Sequence, residues 1–66
     1  MAVQYRGYTV MVRRARVLAA LIKPPGAILT MSEIPQATHE EGEAVLMERV
    51  KAAIDADIEA MARPQG

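Results

Sequence analysis

The sequence predicts an α+β domain in which a three-stranded antiparallel meander carries one long C-terminal helix on one face, in the order β-β-β-α. Three observations lead to this fold class. Apolar residues alternate near the N-terminus, prolines and a glycine interrupt the middle of the chain, and apolar residues recur every three or four positions in the last third. At this length we expect residues 1–66 to form a single small domain.

The first predicted strand covers residues 4–13. Tyr8, Val10 and Val12 occupy alternate positions in a segment rich in β-branched and aromatic residues. Successive side chains of a strand point to opposite faces of the sheet. These three side chains are therefore expected to share one face.

The second predicted strand covers residues 16–23, although residues 14–23 leave two alternatives open. Their Ala, Leu and Arg content favours a helix. We favour a strand, because the apolar run Val17–Ile22 ends just before two prolines and has the length of a strand. The connection expected at residues 13–16 has no Gly, Asn or Pro, the residues typical of hairpin turns.

The third predicted strand covers residues 27–33. The preceding Pro24-Pro25-Gly26 is a strong break in regular structure, and Pro35 marks the next one. Between these breaks the chain is mostly apolar and short enough for a strand.

The C-terminal helix is predicted over residues 39–62. Thr38 and Glu41 have the spacing of a capping box, and Pro64 marks the end of the segment. At 1.5 Å per residue this helix would be about 36 Å long, longer than strands of roughly 25 Å, so its last turns are expected to overhang the sheet and reach a partner. Its apolar stripe consists of Leu46, Val50, Ala53, Ile54, Ile58 and Met61.

The middle strand is apolar on both of its faces, although one face of such a sheet should meet water. The residues expected to face the helix are Tyr8, Val10, Val12, Leu18, Ala20 and Ile22. The residues expected on the other face are Met11, Val17, Ala19 and Leu21. An uncovered apolar patch on a small domain indicates an interface, so a homodimer or small oligomer is expected.

The charges are segregated along the chain. Eight basic and eight acidic side chains cancel, but residues 1–23 carry five basic groups and no acid, and residues 24–66 carry eight acids and three basic groups. The two parts therefore carry +5 and −5. This pattern excludes a uniformly basic nucleic-acid-binding protein and suits a charged protein partner or self-association.

The basic and apolar residues of the N-terminal part define a candidate interaction surface. Its residues are Arg6, Met11, Arg13, Arg14, Arg16, Val17, Ala19, Leu21 and Lys23. The expected partner is another protein or a second copy of the chain. The alternative is a small nucleic-acid-binding protein that uses this basic hairpin, with Tyr5 and Tyr8 as rings on which bases stack.

The sequence predicts no catalytic, cofactor-binding or metal-binding residue, and therefore a non-enzymatic protein. There is no cysteine, and His39 is the single histidine. His39 and Glu43 have i, i+4 spacing, but a structural metal site normally has four ligands. The longest apolar run has six residues, whereas a membrane span needs about 20, so a cytoplasmic protein with no membrane association is expected.

Three motifs resemble the sheet-and-helix half of HicB-type antitoxins. They are Tyr8-x-Val10-x-Val12, a strand ending near Pro25-Gly26, and Thr38-His39-Glu40-Glu41 at the start of a helix. The resemblance implies a three- or four-stranded sheet with a helix on one face, and a role in binding and blocking a small ribonuclease toxin.

The chain departs from that family at several positions. Gly42 stands where the family has Ala, and Gln36-Ala37 stands where the family has Gly-Asp. No residues here resemble the DNA-binding C-terminal part of many such antitoxins, so DNA binding of that kind is not implied.

Two further likenesses bring no function with them. Tyr5-Arg6-Gly7-Tyr8 is similar to the opening of a group of short uncharacterised bacterial proteins, and this likeness is closer than the one to the antitoxins. The predicted order of elements is similar to the core of double-stranded-RNA-binding domains in topology alone, from which no function follows.

Overall fold

The computed structural model describes residues 2–62, which form a four-stranded sheet and one long helix. All neighbouring strands are antiparallel and follow chain order, so the sheet is a meander. The α+β class, with strands followed by a long C-terminal helix, is confirmed, but there are four strands where three were predicted. The elements are β1 (Ala2–Tyr5), β2 (Tyr8–Arg14), β3 (Leu18–Lys23), β4 (Gln36–Ala37) and α1 (Gly42–Ala62).

The prediction of one strand over residues 4–13 is wrong, because a tight turn divides this segment. Tyr5 pairs with Tyr8, and the two residues between them have positive φ, 51° at Arg6 and 87° at Gly7. Positive φ at both central residues is the requirement of a type I′ turn, whose twist matches that of the flanking strands. Arg at the first of these positions is an unusual choice, so the turn does not stand out in the sequence.

The strand prediction for the second segment is confirmed over the helical alternative, with a later start. β3 begins at Leu18, which pairs with Arg14, and residues 15–17 form the connection. Val17 therefore lies in the connection rather than in the strand. The Ala15 N–H donates a hydrogen bond to the Val17 carbonyl at 3.1 Å, which closes this bend without Gly, Asn or Pro.

The prediction of a strand over residues 27–33 is wrong. The Met31 N–H donates to the Ile22 carbonyl at 2.7 Å, and regular pairing resumes where Gln36 lies opposite Ala19. The five steps from Met31 to Gln36 thus lie opposite only three steps of β3. The extra residues of this segment cannot pair one to one with β3, so only Gln36–Ala37, the short β4, forms a strand along that edge. Between Lys23 and Met31 the chain forms a loop in which Ile28 is 93% exposed and Leu29 is 79% exposed.

The helix begins at Gly42 rather than at residue 39. Residues 39–41 form a separate turn, and Gly42 has φ 86°, which an α-helix interior does not accommodate. The capping box is nevertheless formed: the Glu41 N–H donates to Thr38 Oγ1 at 3.1 Å, and the Thr38 N–H donates to Glu41 Oε1 at 2.9 Å. At 21 residues α1 is about 31 Å long. Pro64, the predicted stop, lies outside the described residues.

The core lies between the sheet and the inner stripe of α1, as the alternation predicts. α1 packs mainly over β3 and β4. The predicted helix-facing residues are buried except for Val12, which packs against the core while remaining half-exposed. The buried residues are Tyr8, Val10, Leu18, Ala20, Ile22, Ala37, Leu46, Val50, Ala53 and Ile54.

Candidate interaction surface

The sheet face that points away from α1 is called here the open face. The strand register brings side chains from all four strands to it. None of them is buried. They are Ala2, Gln4, Thr9, Met11, Arg13, Ala19, Leu21, Lys23 and Gln36.

The centre of the open face is apolar. Met11 pairs with Ala2 on one side and with Leu21 on the other, and Ala19 follows Leu21 on the same face of β3. Met11 is 50% exposed, whereas Leu21 and Ala19 are half-buried. Three of the four residues predicted for this face are therefore on it; Val17 is in the connection before β3.

The only charged side chains on the open face are cationic. Arg13 lies in the row beside Ala19, and Lys23 lies opposite Thr9 at the other end. Neither forms an ion pair within residues 2–62. The face thus combines an apolar centre with two unneutralised positive charges.

The structure brings five of the nine predicted surface residues together on the open face. Arg16 and Val17 lie in the connection beside that face. The remaining two are elsewhere and bind acidic side chains of α1: Arg14 points to the helix side and pairs with Glu43, and Arg6 pairs with Asp55 at 2.9 Å.

Side chains of the β1–β2 turn, Tyr5-Arg6-Gly7-Tyr8, form hydrogen bonds to the C-terminal half of α1. The Tyr5 hydroxyl donates to Asp55 Oδ1 at 3.0 Å, and the Tyr8 hydroxyl donates to Asp57 Oδ2. The Arg6 guanidinium lowers the pKa of Asp55, while the hydrogen bond to Asp57 raises the pKa of Tyr8.

Neither tyrosine is therefore placed to stack bases beside the open-face cations. Tyr8 is buried, and the Tyr5 ring faces α1, with Lys51 Nζ 5.7 Å from its centroid. This placement removes the aromatic part of the nucleic-acid alternative.

A second cluster fixes the start of α1 to β4. Arg49 donates to the Gln36 carbonyl at 2.8 Å and makes two hydrogen bonds to the Glu41 carboxylate, at 2.6 and 3.1 Å. The Arg49 guanidinium, helped by the Thr38 N–H, lowers the pKa of Glu41 to about 2. These contacts give Glu41 a structural role.

His39 also has a structural contact. Its Nε2 lies 2.6 Å from the Ala15 carbonyl, and because a carbonyl only accepts, Nε2 must carry the hydrogen. His39 thereby joins the turn before α1 to the β2–β3 connection. Across residues 2–62, no group of three or more His, Asp or Glu side chains is arranged to hold a metal ion.

On the helix side, a groove of about 350 Å³ opens where α1 leaves β1 and β2 uncovered. It is lined by Val3, Val12 and Met47, with Arg14 and Glu43 at its border. Val3 is 39% exposed there. The sequence did not indicate this groove, because the predicted first strand began after Val3 and the position of α1 across the sheet has no local signal.

Comparison with known proteins adds no assignment to this geometry. Among residues 2–62, no helix combines the length and the apolar character needed to cross a membrane. No protein-family model, curated protein or solved structure matches the chain.

Proposed function

We propose that this chain is a non-enzymatic protein-interaction module of the cytoplasm that self-associates and presents its open face to a protein partner. The observation that carries the proposal is the combination on that face of a partly exposed apolar centre with two cations that form no ion pair within residues 2–62. Exposed apolar patches on small domains are typical of binding surfaces. An antitoxin-like role, in which the sheet covers a small protein partner, belongs to this proposal.

The charges indicate the chemistry of the partner. Arg13 and Lys23 stand at opposite ends of the open face, with Met11 and Leu21 between them. A complementary surface therefore has an apolar centre flanked by carboxylates. Such complementarity speeds encounter and selects the partner more than it adds to affinity.

An affinity capture experiment with matched variants tests the proposal. The purified chain would be incubated with lysate of the organism that encodes it, beside the double variant Met11→Lys with Leu21→Lys. The control is Ala52→Lys, an exposed position on α1. We expect the wild type and the control to retain the same protein, and the double variant to lose it. Equal retention by all three would contradict the use of the open face.

A second candidate, nucleic-acid binding, is favoured by one observation: Arg13, Arg16 and Lys23 make no ion pair within residues 2–62. The same capture, run with and without nuclease, separates the two functions. Retained nucleic acid that is released by moderate salt and lost with Arg13→Glu and Arg16→Glu would support the second candidate. Arg14 is unsuitable for this variant because its pairing with Glu43 makes its replacement a structural change.

A further inference from the structure

β1 is an edge strand that lacks the usual protection against pairing with another chain. Natural edges carry charged residues, proline or bulges, or are covered by another element. The opposite edge of the sheet meets this rule, because β4 has two residues and follows Pro35. β1 has the sequence Ala-Val-Gln-Tyr, without charge or proline. α1 does not cover it, because α1 packs mainly over β3 and β4.

The register determines which main-chain groups β1 offers. A β-turn closes with a hydrogen bond from the Tyr8 N–H to the Tyr5 carbonyl, and bonded pairs then alternate along an antiparallel ladder. Val3 and Val10 form the next bonded pair. The N–H and C=O groups of Ala2 and Gln4 therefore point away from β2, toward the free edge.

We propose that this edge is where the chain self-associates, with β1 of two copies antiparallel about a two-fold axis at Val3; this rests on the self-association in the proposed function. Ala2 then lies opposite the partner's Gln4, and each such pair exchanges both of its N–H···O bonds. The two four-stranded sheets become one continuous sheet. Both open faces lie on the same side of it, so a dimer presents two binding surfaces together.

The side chains favour a second copy as the occupant of this edge. Val3 sits at the centre of the pairing, on the helix side, and its pair with the partner's Val3 is of the non-hydrogen-bonded kind that brings side chains closest. Each Val3 also lines the apolar groove beside Val12 and Met47, so the two-fold axis brings the grooves of the two copies together.

The distribution of charge also favours a second copy as the occupant of the β1 edge. β1 carries no charge, so pairing it with itself opposes no like charges. The open face does the reverse: two copies placed face to face would bring Arg13 and Lys23 against other cations without a neutralising acid. The edge is thus suited to a second copy and the open face to a different, acidic partner.

Sedimentation equilibrium on the full chain tests the inference with a substitution that acts only at the outer edge. Gln4→Pro removes the outward N–H of Gln4 and leaves the β1–β2 ladder bonds in place. Gln4→Ala keeps that N–H and is the matched control. We expect the wild type and Gln4→Ala to be dimeric at high micromolar concentration, and the dissociation constant of Gln4→Pro to be at least about tenfold higher, because each dimer loses two hydrogen bonds.

A second variant keeps the test decisive if Gln4→Pro does not fold, as judged by circular dichroism. Val3→Glu opposes two like charges at the axis, whereas Val3→Thr retains the shape. We expect Val3→Glu to be monomeric and Val3→Thr to be dimeric. Dimers of folded Gln4→Pro or Val3→Glu as stable as the wild-type dimer would overturn the inference and leave self-association through another surface. A monomeric wild type would overturn both the inference and self-association, while the capture experiment would still decide partner binding by the open face.

Discussion

At the scale of single residues, the Arg6–Gly7 turn connects the sheet to the helix. Both residues have positive φ, and the side chains on either side of Gly7 bind Asp55 and Asp57. The turn geometry therefore also sets where Tyr5 and Tyr8 present their hydroxyls. A Cβ at Gly7 would lie 3.8 Å from Pro25 Cγ, an ordinary contact, so backbone conformation rather than space requires glycine here.

Replacing Gly7 tests this requirement. We expect Gly7→Ala to lower the free energy of unfolding by about 1–2 kcal/mol, because an L-residue with a Cβ is strained at this φ. Gly7→Asn should lose less, because Asn tolerates the left-handed region. Urea unfolding followed by circular dichroism measures both. Equal midpoints for the two variants would show that the conformation of Gly7 does not limit stability.

At the scale of elements, side chains reinforce the turn before α1, which the Gly42 N–H also closes with a hydrogen bond to the Thr38 carbonyl at 3.0 Å. Gly42 separates the Thr38–Glu41 turn from α1, yet Arg49 reaches back from the helix to Glu41 and to the Gln36 carbonyl. The Glu41 carboxylate thus joins the turn to the helix, and Arg49 joins the helix to β4. The ionised form of Glu41 is the one that favours its hydrogen bonds from Thr38 and Arg49.

The pH dependence of stability should report this cluster. The pKa of Glu41 falls from its ordinary 4.5 to about 2 in the folded chain. A lowered folded pKa stabilises the fold above the unfolded value, and this stabilisation is lost as the pH falls from about 4.5 toward 2. Urea midpoints measured across this range should decrease less for Glu41→Gln than for the wild type.

The control for the pH experiment is Glu48→Gln, an exposed carboxylate of α1 outside the cluster. It should follow the wild-type curve. The lowered pKa of Asp55 will leave some acid sensitivity in every variant. A Glu41→Gln curve parallel to that of the wild type would contradict the role given to Arg49 and Thr38.

The elements that the sequence predicts well are those defined by periodicity. Alternation identifies the core face of β2 and β3, because each buried position there is also apolar. The capping-box residues likewise make the contacts that their spacing implies. The predicted start of α1 is three residues too early because the left-handed conformation of Gly42, with φ 86°, separates the capping box from the helix.

The elements that the sequence predicts poorly are those that depend on how two distant segments of the chain pair with each other. Residues 27–33 have strand-like composition, but whether they pair depends on the number of residues that must span the β3 edge. The candidate surface divides in the same way. Met11, Ala19 and Leu21 follow from alternation, whereas Arg6 and Arg14 find partners 49 and 29 residues away, which no local pattern reveals.

At the scale of the whole molecule, some of the basic side chains of residues 1–23 form ion pairs with acidic side chains of residues 24–66 in the same chain. Arg14 binds Glu43 near the start of α1, and Arg6 binds Asp55 in its C-terminal half. The basic N-terminal part thus holds the helix across the sheet at two points. Of the basic side chains in residues 2–23, Arg13, Arg16 and Lys23 form no ion pair within residues 2–62 and remain for partners.

Exchanging the charges of Arg14 and Glu43 tests whether these two side chains form an ion pair within the chain. Arg14→Glu and Glu43→Arg should each lower stability, and the double variant should recover part of the loss, with a coupling of about 0.2–1 kcal/mol because both side chains are largely exposed. High salt should remove the coupling, since the Debye length falls to about 3 Å at 1 M. Exchanging Lys23 and Glu48, which lie on opposite sides of the sheet, is the control and should show no coupling. If the Arg14–Glu43 cycle also gave none, the hairpin charge would be available to an external partner, and the binding surface would extend from the open face to the helix side.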